Sequence, residues 1–123
     1  MLYAMLCYNA EDVVFSWSKE EDDAVMAKLT VVNDRLRREG KLGPSARLMP
    51  TTAATTLRKD GGDQMVLDGP FAETKEQLLG FYVLDCASLD EALDIAREMG
   101  LANPGGAYEI RPVRLFLPGN LAT

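Results

Sequence analysis

The chain contains no histidine and only two cysteines, Cys7 and Cys86, among its 123 residues. The first absence removes the commonest general base near neutral pH and the commonest metal ligand together. Two cysteines so far apart make no zinc or haem ligand set, so no metal or cofactor is expected. Both lie in apolar stretches, where a reduced thiol behaves as a small buried hydrophobe, and a disulfide is not expected. Basic residues are outnumbered: 13 Lys and Arg against 19 Asp and Glu leave a net charge of −6. Nucleic-acid binding leans on Lys and Arg against phosphates, so this balance speaks against it, and equally against an anionic membrane surface. No apolar run approaches the length of a membrane span. The start, Met1 to Cys7, lacks the basic residues of a signal peptide. The expected setting is the cytoplasm.

What is present is an ordinary soluble composition, 47% apolar and 26% charged, at a length that suits one domain with one core. Leu2 to Tyr8 is apolar on both alternating sets, as in a strand buried on both faces. Asn9 to Trp17 reads as a loop, with Trp17 either a lid on the core or a wall for a ligand. Ser18 and Glu21 form a capping box for a helix that runs to about Glu39. Val25, Leu29, Val32 and Leu36 fall on one face of it. A short strand is expected at Ala46 to Met49, another at Thr51 to Arg58, then a hairpin turn at Asp60-Gly61-Gly62-Asp63 and a return strand from Gln64 to Leu67. Thr74 and Gln77 form a second capping box and predict a helical turn through Leu79. Phe81 to Cys86 is again a strand that is apolar on both faces. Ser88 and Glu91 open a second long helix, with Leu89, Ala92, Leu93, Ala96 and Met99 in a stripe ending at Gly100. Tyr108 to Val113 is the last strand, which Pro112 confines to an edge or a bulge. Residues 118–123 are a tail outside the domain, 1–117.

This order predicts an α+β fold, a ferredoxin-like βαββαβ sheet with two helices on one face. Two helices cover only one face, while two strands are apolar on both. A bare face would expose more than the few hundred Å² or so that a soluble monomer tolerates. A second copy packed sheet to sheet would cover it, which predicts a homodimer arranged as a dimeric α/β barrel.

The most constrained stretch is Asp68-Gly69-Pro70-Phe71-Ala72-Glu73-Thr74-Lys75. Gly69 can take backbone angles closed to other residues, and Pro70 keeps it out of the right-handed helical region. Asp68 is either a general base with a pKa raised by its apolar surroundings or a cap on the following turn. Glu73 and Lys75 are candidates for an acid and an anion anchor, or a solvated pair. Arg111 and Glu109 share one face of the last strand. Arg111 either binds a substrate carboxylate or pairs internally with Asp68 or Glu73. Tyr3, Tyr82 and Tyr108 are candidates to line a pocket between sheet and helices.

The run Val66 to Gln77, followed by Gly80-Phe81-Tyr82 and Leu89-Asp90-Glu91-Ala92-Leu93, resembles the DGPF branch of the YCII-related domain family. Glu109-Ile110-Arg111-Pro112-Val113 and Pro50 with Ala54 to Arg58 resemble it too. The resemblance extends from Leu2 to about Phe116. It implies a ferredoxin-like fold assembled as a dimeric α/β barrel. It also implies either a cofactor-independent small-molecule enzyme, with Asp68 as acid or base and Glu73, Lys75, Arg111 and Tyr82 around a ligand, or a ligand-binding, regulatory dimer linked to an extracytoplasmic-function sigma factor. The His–Asp pair of some family members has no counterpart in a chain without histidine.

Overall fold

The computed structural model describes residues 1–62 and 64–121. Asp63 of the expected hairpin turn, and Ala122 and Thr123 of the expected tail, lie outside the described residues. The elements in order are β1 (Leu2–Asn9), a short helix α1 (Glu11–Val14), α2 (Lys19–Arg38), β2 (Leu42–Arg47), a 3-10 turn (Thr51–Ala53), β3 (Thr55–Arg58), β4 (Met65–Asp68), β5 (Gln77–Asp85), α3 (Leu89–Ala102) and β6 (Ala107–Pro112). Four strands form one antiparallel sheet in the order β2-β5-β1-β6. That is the ferredoxin-like arrangement, with β3 and β4 inserted as a separate two-stranded hairpin.

Alternation within the strands sorts the two sheet faces. Tyr3 and Met5 of β1 and Leu84 of β5 are buried against Leu29, Val32 and Leu36 of α2 and Ala92, Ile95, Ala96 and Met99 of α3. Leu2, Ala4 and Leu6, one residue out of step, face the other way and stay partly exposed, as do Phe81 and Val83 beside them. Ser18 caps α2 through a complete capping box, its hydroxyl accepting from Glu21 N at 3.0 Å. Ser88 accepts in the same way from Glu91 N at 3.2 Å. Arg35 and Glu98 then clamp α2 to α3 through a paired contact, Nη2 to Oε2 at 2.6 Å. Among the described residues, no helix is long and apolar enough to cross a membrane.

Four expectations are corrected. The strand expected from Thr51 to Arg58 starts only at Thr55, after a 3-10 turn that opens on Pro50. The strand expected at Ala46 to Met49 runs instead from Leu42 to Arg47. It is an edge strand with a register shift between Leu42 and Ser45, and there Pro44 is tolerated. The loop expected from Asn9 to Trp17 contains α1, anchored where Glu11 accepts from Thr51 N at 2.9 Å. The helical turn expected at Thr74 to Leu79 does not form, because Gln77 and Leu78 pair with Asn9 and Tyr8 of β1. The Gln77 side chain donates to Thr74 O and accepts from Glu11 N at 2.9 Å, so its amide ties the loop to α1 rather than capping a helix. Gly80 sits inside β5 and ends nothing. A Cβ there would stand 2.5 Å from Ala46 O, so β2 can approach β5 only across a glycine.

Candidate functional site

One row of the sheet sets the site. Arg47 of β2, Gly80 of β5, Cys7 of β1 and Tyr108 of β6 lie side by side across all four strands, on the helix-bearing face. Gly80 contributes no side chain, so space is left above the middle of the row. The next row adds Tyr82, opposite Met5. Over this floor runs α2, presenting Met26, Thr30, Asn33 and Arg37 from successive turns. Trp17 and Val14 close the side nearest Arg47, and Asn103 and Gly105 the side nearest Tyr108. The result is a cavity of about 310 Å³, within the range of small-molecule sites.

Its electrostatics are one-sided. Arg37 and Arg47 line it, and among the described residues no carboxylate does. Arg47 is held by Asp22 of α2, Nη2 to Oδ1 at 2.6 Å, and this pair keeps the Asp22 carboxyl below the usual range. Arg37 makes a single contact with Asp34, at 2.9 Å on the outer helix surface. Burial pushes the Cys7 thiol up to about 12 and the Tyr108 hydroxyl up to about 12. Burial also raises Tyr82, which the Asn33 amide and the two guanidiniums pull part of the way back. All three groups are therefore protonated at neutral pH. They can donate and accept hydrogen bonds there, but they do not ionise.

Two polar atoms of the lining residues are left over. Asn33 Oδ1 and Asn103 Oδ1 are buried, and neither has a hydrogen-bond partner among the described residues. Each adjoins a tyrosine hydroxyl, Tyr82 for Asn33 and Tyr108 for Asn103. An unsatisfied buried carbonyl costs about 1–3 kcal/mol, and both oxygens are fully buried, closed off from the open space of the cavity that their residues line. Asn33 lies four residues after Leu29 and three before Leu36, on the flank of the buried stripe. That polar interruption is the sequence signal that could have found it. Asn103 caps α3, and no sequence pattern marks it as a cavity residue.

Of the residues singled out from sequence, Tyr82 lines the cavity, and so does Tyr108. Tyr3 belongs to the core instead, at 4% exposure. Trp17 is half-buried and forms cavity wall rather than a lid on the core. Asp68 is exposed at the end of β4 and lines neither the cavity nor the shallow depression beside it. Its corner is braced by backbone and hydroxyl contacts of its own hairpin. Gly69 N donates to Ala54 O at 2.8 Å and Thr56 Oγ1 donates to Gly69 O at 2.8 Å. Gly69 has φ +100°, the geometry only glycine adopts freely. Glu73 and Lys75 are exposed on the following loop. Arg111 does not pair with Asp68 or Glu73. It pairs with Glu109 on the opposite face of the sheet, where the register sets the two against Ala4 and Leu6. The helices bury only the other face, so Arg111 and the cavity are on different sides. Among the described residues, no group of three or more His, Cys, Asp or Glu could hold a metal ion.

The model of the YCII-related domain family matches residues 1–117. The chain is also similar to an uncharacterised protein of Rhizobium meliloti (strain 1021), 63% identical over 122 residues that cover 98% of each chain.

Proposed function

The chain belongs to the YCII-related domain family, and from that premise we propose that it binds a small organic molecule in the cavity between α2 and the sheet, as a homodimer. The observation that carries this reading is the cavity's lining, in which the Arg37 and Arg47 guanidiniums and the Trp17, Tyr82 and Tyr108 rings meet, with no carboxylate among the described lining residues. The Asp68-to-Lys75 motif supports placement in the DGPF branch. Binding is favoured over turnover by Asp68 because Asp68 lines no part of the cavity. A regulatory use, in which ligand occupancy is passed to a partner such as a sigma factor, follows more readily from such a site than acid–base catalysis by Asp68.

The dimer rests on the second sheet face. Leu2, Ala4, Leu6, Phe81 and Val83 form a continuous, partly exposed apolar patch flanked by Glu109 and Arg111. Sheet-to-sheet packing about a two-fold axis would bury it.

A fragment screen followed by NMR tests the cavity. Binders should shift the side-chain amide signals of Asn33 and Asn103 and the indole N–H of Trp17, the one tryptophan in the chain. Binders that shift only Asp68 to Lys75 would move the site to the hairpin and overturn this reading.

A further inference from the structure

Resting on the cavity reading above, we propose that the ligand is a compact aromatic acid, a single ring carrying one carboxylate. The cavity volume, about 310 Å³, equals about ten water molecules of liquid, room for one substituted ring. The indole of Trp17 and the phenol rings of Tyr82 and Tyr108 line it, surfaces on which a flat ring packs well.

The carboxylate is assigned by which cation can change partners. Both guanidiniums in the lining favour an anion, and with no carboxylate among the described lining residues an amine would meet only repulsion. Arg47 is already engaged by both oxygens of Asp22, at 2.6 and 3.4 Å. Arg37 holds Asp34 by one contact between side chains 57% and 53% exposed, a pair worth little in water.

Two probes test the proposal: benzoate carries the charge and benzamide lacks it. Binding is read by NMR titration of the Trp17 indole N–H and the Asn33 amide. Benzoate should bind about tenfold tighter than benzamide, the size of one charge-assisted hydrogen bond. Arg37→Gln should erase that advantage. Equal affinity for the acid and the amide, or an advantage that survives Arg37→Gln, would overturn the aromatic-acid proposal and leave the cavity reading standing. If neither probe shifts the Trp17 or Asn33 signals, while fragments of other chemistry do, the acid proposal alone falls. If no fragment does, both fall.

Discussion

Arg47, at the end of β2, grips Asp22 on α2 with both guanidinium nitrogens, at 2.6 and 3.4 Å. The pair joins an edge strand to the helix that roofs the cavity. It also stands between the cavity and the depression beside it, since Arg47 lines both. The two side chains are 48% and 33% exposed, so solvent screens the attraction to about 1 kcal/mol or less. Asp22→Asn is therefore expected to lower the Tm by no more than about 4 °C. Circular dichroism melting checks this, and a much larger drop would mean that the pair also holds β2 on the sheet.

Asn33→Leu tests whether the buried oxygen is a net cost. The substitution removes an oxygen without a partner together with the amide that adjoins the Tyr82 hydroxyl. The two effects oppose, so stability should change by no more than about 1 kcal/mol, read as the Tm. A much larger loss would mean that the amide's contact with Tyr82 holds the cavity wall.

Gly80→Ala would force a Cβ to within 2.5 Å of Ala46 O. Backbone must move, and β2 is the edge strand that can. A loss of about 1–3 kcal/mol is expected, read as a lower urea midpoint, together with loss of the Arg47 contact to Asp22. Unchanged stability would mean that β2 docks more loosely than its register with β5 implies.

Stability should fall at both ends of the pH scale for different reasons. Glu11, Asp22 and Glu98 have lowered folded-state values, Glu11 through Thr51, Asp22 through Arg47 and Glu98 through Arg35. Their contribution is complete above the unfolded values, about 4, and is lost as pH falls through the lowered ones. Cys7, Tyr82 and Tyr108 have raised values because of burial. Their contribution is complete below the unfolded values, about 8.5 for Cys and 10 for Tyr, and is lost as pH rises toward about 12. Urea midpoints should plateau between about pH 5 and 8. Glu11→Gln should flatten the acid limb and leave the alkaline limb unmoved.

Leu6→Lys tests the dimer. Leu6 faces away from the helices, opposite Phe81 and Glu109 on the neighbouring strands. A charge there should convert a sedimenting dimer into a folded monomer. A parent chain that sediments as a monomer at micromolar concentration would remove the dimer from the proposal.

The long helices were legible because their signals are local. Ser18 with Glu21, and Ser88 with Glu91, announce their starts, and the 3.6-residue stripe of Leu29, Val32 and Leu36 marks the buried side. The Thr74–Gln77 box has the same kind of pattern and makes no helix. There the β1 edge offers Gln77 and Leu78 a ladder of backbone bonds, and pairing with a distant strand outweighs a local preference. The site was less legible. Asp68, Glu73, Lys75 and Arg111 were singled out for residue type and a constrained loop, yet they stand on a hairpin and on the far sheet face, away from the cavity that Tyr82 lines.

From sequence alone came the α+β pattern, the two capped helices, the family resemblance and the surplus of apolar strand surface. These depend on spacing along the chain, which folding leaves unchanged. The row that joins Arg47, Gly80, Cys7 and Tyr108 depends on strand register instead. Register is fixed only when four separated segments pair and the core closes over them, so the tertiary structure alone decided where a ligand could sit.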